Sequence, residues 1–398
     1  MNLKDPFYKK TITFPFDGKV FSFHVSQELF SSHTVDHGTQ RLLRSLLKQP
    51  SPSCNKILDL GCGYGPLGIT LKSQHPNSTV HFVDRDALAL DYAQQNALLN
   101  GLTDNLTFSA SLGFDDVKDN NFDLIVSNIP AKVGNKVLSH FLKDAQHYLT
   151  KNGTVAIVVV DEINDFVLEE LSSDQNIHID YHQNWPGHHV YHYSFIDHNS
   201  PSQPAFENGE YLRNTLDFVF RGNSFPMETT YHLKEFDQIS FETELILNAL
   251  PQLNQPQEKV AVLYPGQGYI SLACAHYFQP TQLFLVDRDL QALKTARMNL
   301  LHSYPTVKIA LQHQSQWGID EKNISLVIGV IPEKQNKEVY ELLLSQTQQC
   351  LTANGEALFS STSTTIKRLE EILKKKKLFT LIAREKNKGK SLIRLLRV

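Results

Sequence analysis

Ile57-Leu58-Asp59-Leu60-Gly61-Cys62-Gly63-Tyr64-Gly65-Pro66-Leu67-Gly68 decides how the rest of this 398-residue chain is read. The apolar run through Leu58 enters a turn built on Gly61, Gly63 and Gly65. Pro66 suits the first turn of a helix, where its missing N–H costs nothing. Strand, glycine turn and helix together open a nucleotide-binding βαβ unit, and Gly63-x-Gly65-x-x-Gly68 also fits the dinucleotide fingerprint. Asp59 discriminates between ligands. A dinucleotide turn offers bare N–H groups to an anionic pyrophosphate, which a carboxylate at the strand end would repel. S-adenosylmethionine carries an ammonium and a sulfonium, so the same carboxylate attracts it. Asp84 ends the next apolar run, Val80–Val83, where an acid that accepts from ribose hydroxyls is expected.

The length suits two domains, and 41% hydrophobic with 20% charged residues is the balance of a globular protein. The longest wholly apolar run, about Val155–Val160, is far short of a membrane span. The start lacks the basic-then-apolar layout of a signal peptide. Four scattered cysteines suggest neither a disulfide framework nor a zinc ribbon, so a reduced, cytoplasmic location is expected. The net charge of -4 is unevenly placed. Residues 365–398 carry twelve Lys/Arg against three Glu. The segment Ile366–Arg397 is therefore a candidate contact for a polyanion such as structured RNA, or else a solvated basic face.

In chain order, Ile12, Phe14 and Phe16 alternate up to Asp17-Gly18, followed by Phe21, Phe23 and Val25, a hairpin pattern. A helix is expected over Gln40–Leu47, strands over Val80–Val83, Leu106–Ser109, Phe122–Val126 and Thr154–Val160, and helices over Leu88–Leu99 and Val137–Leu149. Lys151-Asn152-Gly153 reads as a turn. Residues 197–207 have linker composition.

Past the linker the chain repeats itself. Gly222, Phe225 and Met227 answer Gly18, Phe21 and Phe23 at a spacing of 204. Gly266-Gln267-Gly268-Tyr269 answers Gly61-Cys62-Gly63-Tyr64 at 205, Val286-Asp287-Arg288-Asp289 answers Val83-Asp84-Arg85-Asp86 at 203, and Ile331-Pro332 answers Ile129-Pro130 at 202. The expected architecture is α/β: two tandem Rossmann-like doubly wound sheets, residues 1–196 and 208–398, each preceded by an N-terminal β-hairpin. In that alignment Asp59 becomes Tyr264, Gly65 becomes Ile270 and Asn128 becomes Val330, so the second copy reads as degenerate, binding RNA or stiffening the first.

Phe30-Ser31, Asp36-His37-Gly38-Thr39-Gln40, the Asp59–Gly65 turn, Asp84 and Ser127-Asn128-Ile129-Pro130-Ala131 together resemble the "methyltransferase small" domain family. The similarity is to its tandem members of the ribosomal RNA small subunit methyltransferase C and large subunit methyltransferase G type. The resemblance implies a class I methyltransferase fold, S-adenosylmethionine as methyl donor and guanine N2 of ribosomal RNA as acceptor. It implies that Asp36, Thr39 and Gln40 lie near the methionine end, beside the turn whose Asp59, Gly61, Gly63 and Gly65 are read above as cofactor-binding. Asp84 would hold the ribose, and Ser111-Leu112 would border the adenine. Two departures stand out. The worn copy comes second here, and the family's Asn-Pro-Pro-aromatic turn reads Asn128-Ile129-Pro130-Ala131. Either another aromatic stacks the base, or the acceptor is not a flipped base.

Asn128, Ile129 and Pro130 are the candidate catalytic residues. An exocyclic amino group is a poor nucleophile because its lone pair is delocalised into the ring. Two acceptors aimed at its N–H bonds, the Asn128 side-chain oxygen and the Ile129 carbonyl, would leave the lone pair facing the methyl. Pro130 fixes where that carbonyl points. His182, His188, His189 and His192 fall on the last hairpin of the first copy, with His188 and His192 on one face. No carboxylate or cysteine accompanies them at ligand spacing, so no metal is expected. The rival readings are methyl transfer to a small molecule or protein, a catalytically silent scaffold, and a dehydrogenase that would leave Asp59 unexplained.

Overall fold

The computed structural model describes residues 5–51, 54–132, 134–197, 203–253, 257–316 and 321–398. It divides into two compact units, 1–211 and 212–398. The first opens with the hairpin β1 (Tyr8–Phe16) and β2 (Lys19–Ser26). Asp17 and Gly18 both take positive φ, 47° and 73°, as a two-residue turn matched to strand twist requires. The alternating phenylalanines face inward. Phe23 is fully buried and meets the Tyr64 ring edge-on at 5.7 Å, a burial that contributes about 1.5–3 kcal/mol.

The remaining elements are α1 (His37–Lys48), β3 (Lys56–Leu60), α2 (Pro66–Gln74), β4 (Thr79–Asp84), α3 (Ala87–Leu99), β5 (Leu106–Ala110), β6 (Phe122–Asn128), α4 (Asn135–Asp144), β7 (Leu149–Val160), α5 (Asp161–Ser173), β8 (Ile177–Trp185) and β9 (His188–Phe195). The seven strands from β3 onward order as β5-β4-β3-β6-β7-β9-β8. All pairings are parallel except β7–β9 and β8–β9. From β3 the chain winds one way to β5 and then returns to β6, so a crevice opens at the carboxyl ends of β3 and β6. Asp84 ends β4, Asn128 ends β6, and antiparallel β9 starts at that edge with His188 opposite Val160.

Glycine makes the layers fit. A Cβ on Gly68 would lie 2.4 Å from the Phe82 ring, so α2 packs on β4 only with glycine there. Asn96 and Asn100 on α3 grip the edge of β2. Asn96 exchanges bonds with His24 N–H (2.7 Å) and C=O (3.0 Å) and also donates to the Tyr64 carbonyl. Asn100 grips Ser22 in the same two-way manner.

Two elements differ from the sequence reading. Lys151-Asn152-Gly153 lies within β7 rather than in a turn before it, because the 122–124 register shift lets the strand continue through a bulge. The helix expected to reach Leu149 stops at Asp144, followed by a short 3₁₀ turn. Of the linker 197–207, residues 198–202 lie outside the described residues. Beyond them the chain returns to the first unit, where the Ala205 and Phe206 N–H groups both donate to the Asp115 carboxylate.

The second unit repeats the order: β10 (Leu212–Phe220), β11 (Asn223–Thr230), α6 (Phe241–Ala249), β12 (Lys259–Leu263), α7 (Tyr269–Phe278), β13 (Gln282–Asp287), α8 (Leu290–Ser303), β14 (Ile309–His313), β15 (Ile324–Val330), α9 (Lys337–Cys350), β16 (Leu351–Thr362), α10 (Ser363–Lys376), β17 (Phe379–Asn387) and β18 (Lys390–Arg397). Its sheet runs β14-β13-β12-β15-β16-β18-β17, the same topology. No helix among the described residues is long and apolar enough to cross a membrane.

Superposed element by element, the copies correct the glycine-turn alignment. Gly65 and Gly268 both cap the helix after the turn in left-handed geometry, at φ 92° and 102°. A Cβ on either would meet Ala93 or Ala296 respectively. The spacing there is 203, not 205. Gly63 and Gly65 are therefore retained as Gly266 and Gly268, whereas Gly61 becomes Tyr264 and Asp59 becomes Val262. Asn128 becomes Val330, as the sequence reading has it.

Candidate functional site

Asp59 sits fully buried on β3. Its Oδ2 accepts from Gly68 N–H at 2.8 Å, and its Oδ1 has no partner. Burial pushes its pKa up to about 7, with the nearby Asp84 charge adding to the rise and the Gly68 hydrogen bond opposing it. A buried carboxylate with one idle oxygen fits a cationic ligand.

The turn beyond it is shaped for close approach. Gly61 and Cys62 both donate to the Val83 carbonyl, tying the turn across to β4. Gly61 and Gly63 hold φ 71° and 54°, and a Cβ on either would enter open space with no heavy atom within 4 Å. A side chain there would occupy room that glycine leaves free. The Asp84 carboxylate accepts from Gly63 N–H and Asp86 N–H, both at 2.9 Å, so the acid and the turn are set by one another.

Ser111 N–H donates to the Asp84 carbonyl, which starts the next loop at the same edge. Ser111 Oγ donates to Gly113 C=O and accepts from Asp116 N–H, while Leu112 N–H donates to Asp116 Oδ2. Leu112 itself is buried.

Asp36 caps α1 and joins the two halves of the site. Its Oδ2 accepts from Thr39 N–H at 3.2 Å and from the Asn128 amide nitrogen at 2.9 Å, which also donates to Thr39 Oγ1 at 3.0 Å. A carboxylate only accepts, so the Asn128 nitrogen must face Asp36. That leaves the Asn128 side-chain oxygen on the other side of the amide. Ile129 N–H donates to Val158 and its side chain is buried, while Pro130 is exposed. Gln40 does not join this group, because its amide donates to the Val35 carbonyl and braces the loop before α1.

Sequence reasoning quoted Tyr64 without giving it a role and did not name Asn96. Tyr64 is buried, which pushes its phenol up, and its hydroxyl reaches the Ser31 carbonyl, anchoring the Phe30–Val35 loop to the glycine turn. Asn96 recurs as Asn299 with the same bonds, to Glu228 and Gln267. That repetition at a spacing of 203 is the signal that could have found it.

The hairpin histidines have protein partners. His192 is buried against Ser45 Oγ at 2.8 Å, and burial lowers its pKa to about 4. His189 meets Asp161 at 3.0 Å, and His182 stacks on Tyr191 at 4.2 Å. Among the described residues no group of three or more His, Cys, Asp or Glu is placed to hold a metal ion. Within the basic segment Ile366–Arg397, Lys376 pairs with Glu341, Arg384 with Glu370, Lys390 with Glu242 and Glu333, and Arg394 with Glu356. Lys374, Lys375 and Lys377 stay exposed at the end of α10.

Compared with known proteins, the chain matches the Methyltransferase small domain at residues 21–174 and again at 233–388. It is 32% identical over 151 residues to protein YbxB of Bacillus subtilis (strain 168), covering 38% of this chain and 74% of that one. It is 35% identical over 134 residues to Ribosomal RNA small subunit methyltransferase C of Hahella chejuensis (strain KCTC 2396), covering 33% of this chain and 37% of the relative. The structure aligns over 100% of both chains, at TM-score 0.67 and 16% identity, with the T. thermophilus 16S rRNA N2 G1207 methyltransferase (RsmC) in complex with AdoMet and guanosine. That likeness shows a shared fold.

Proposed function

Because the chain belongs to the methyltransferase small domain family, S-adenosylmethionine-dependent methyltransferases, we propose that its first lobe N-methylates an exocyclic amino group of a ribosomal RNA base, guanine N2. The observation that carries this reading is the Asn128 amide, oriented by Asp36 and Thr39 so that its oxygen is available at the mouth of the crevice.

Gly61 and Gly63 would admit the amino-acid end and ribose of the cofactor, Asp59 would face its positive charge, and Asp84 would accept from the ribose hydroxyls. Ser111 and Leu112 would border the adenine. When bound, the cofactor supplies a methyl group on a sulfonium. Asn128 Oδ1 and the Ile129 carbonyl would accept the two N–H bonds of the acceptor amine, drawing the nitrogen toward tetrahedral geometry with its lone pair toward the methyl. The methylated nitrogen is cationic and strongly acidic, so it sheds a proton without a dedicated base. Positioning and fixed dipoles then supply most of the rate. RNA would be the partner, with the exposed lysines at the end of α10 as a candidate contact.

Asp59 gives this reading a pH signature. With a free-enzyme pKa of about 7, the carboxylate is mostly protonated at pH 6, and a cationic ligand binds its ionised form. Affinity for S-adenosylmethionine is expected to rise roughly 5–10-fold from pH 6 to pH 7.5, measured by isothermal titration. The Asp59→Asn variant is expected to bind weakly with a flat profile over that range. A flat profile in the unmodified protein would remove Asp59 from cofactor recognition.

Tritiated methyl transfer tests the acceptor. Unmodified ribosomal RNA is expected to be labelled, with the label recovered as N2-methylguanosine on digestion. Label entering small molecules or protein but not RNA would refute the assignment.

A further inference from the structure

The hairpin β8–β9 carries a cluster that the mechanism above leaves unused. Arg41 on α1 donates from Nη1 to the Pro186 carbonyl at 2.7 Å and meets His188 Nδ1 at 2.6 Å, with its guanidinium 5.6 Å from the Trp185 ring centre. A guanidinium only donates, so His188 Nδ1 accepts and the ring proton resides on Nε2. His188 Nε2 is a donor set by its neighbour.

That donor edge lies beside the group that orients Asn128. A Cβ built on Gly38 would sit 3.2 Å from His188 Nε2, 2.8 Å from His188 Cδ2 and 2.9 Å from Asp36 Oδ2. The imidazole and the Asp36 carboxylate therefore flank the same point above Gly38. Asp36 Oδ2 is in turn 2.9 Å from the Asn128 amide nitrogen.

The second copy shows what closing this place looks like. Lys390, first residue of β18 as His188 is of β9, binds both Glu242 and Glu333. Those carboxylates stand two residues after the cap of α6 and three after the end of β15, the positions of Gly38 and Ala131 in the first copy. An ion pair thus bridges the mouth in the lobe where Asn128 has become Val330. In the first lobe the same three positions are His188, Gly38 and Ala131, which carry no such bridge and leave a directed N–H donor.

We propose that His188 is a specificity-determining residue of the acceptor site, donating from Nε2 to a ring acceptor atom of the base whose amino group Asn128 holds. Arg41 is the positioning residue that fixes its tautomer. The inference rests on the methyl-transfer reading above.

The test uses the full chain, unmodified ribosomal RNA and tritiated S-adenosylmethionine. His188→Ala is expected to raise KM for RNA about 30-fold, with kcat within about threefold and S-adenosylmethionine affinity within about twofold. His188→Gln, which keeps a donor at a similar reach, is expected to recover to within about fivefold. In Arg41→Met the ¹⁵N shifts of the His188 ring are expected to move from the Nε2–H tautomer toward a mixture. An active unmodified protein alongside an equally active His188→Ala overturns the inference and leaves the methyl-transfer reading standing. So does an equal loss of cofactor and RNA affinity, which would mark a support for Asp36. RNA left unlabelled by the unmodified protein overturns both.

Discussion

Asn128→Ala is expected to cut turnover on ribosomal RNA by about 10²–10³-fold while leaving affinity for S-adenosylmethionine within about twofold. The size follows from removing one preorganised dipole aimed at a reacting group, which typically costs that much in kcat. The split between the constants follows from where the residue sits. Its nitrogen is spent on Asp36 and Thr39, so the only group it can offer outward is its oxygen, which in the proposed site meets the amine rather than the cofactor. Stability should fall by only about 1–2 kcal/mol for the lost hydrogen bonds, visible as a modest Tm shift. Single-turnover rates beside titration calorimetry provide the measurement. Equal losses of rate and cofactor affinity would show that Asn128 supports the fold of the site rather than the chemistry.

Asp84→Ala is expected to weaken S-adenosylmethionine binding by at least 100-fold. In the proposed site this carboxylate has two tasks: it would accept from the ribose hydroxyls, and it already accepts from Gly63 and Asp86 N–H. Hydrogen bonds to a charged group contribute about 1.5–3 kcal/mol each, so losing the ribose pair alone accounts for the effect. Asp84→Asn should fall between the two, because an amide keeps one acceptor. Removing Asp84 also takes away a charge that raises the Asp59 pKa, which partly offsets the loss. Calorimetry on both variants gives the ranking, and unchanged affinity in Asp84→Ala would exclude it from the cofactor site.

Two local signals in the chain carried most of its fold. Asp17-Gly18 between alternating phenylalanines gave the hairpin, and the turn from Asp59 to Gly68 gave the strand-to-helix passage and the two-lobed α/β architecture. The register of the repeat within that turn was not legible, for a physical reason. Glycines at every second position match themselves after a two-residue slip, and Tyr64 and Tyr269 reinforce the wrong match. The correct pairing is set by contacts distant in sequence: Gly65 against Ala93 and Gly268 against Ala296. The same holds for the site. Asp36 and Asn128 could be named from motifs, but their hydrogen bond spans 92 positions of chain. The contact of His188 with Arg41 spans 147 and depends on how β9 pairs with β7. Lys151-Asn152-Gly153 has turn composition and still continues a strand, since a bulge absorbs it.

Tyr264 occupies left-handed backbone at φ 53° where the first lobe has Gly61. The conformation costs an ordinary side chain about 1–2 kcal/mol. The turn nevertheless keeps its course, held by the bond from Tyr264 N–H to the Val286 carbonyl, just as Gly61 N–H is held by Val83. The route of the main chain is thus dictated by strand-to-strand bonding, and in the proposed site glycine at this corner serves the guest rather than the host. A duplicated lobe can change the side chain at this corner and stay folded, which leaves the turn free to drift.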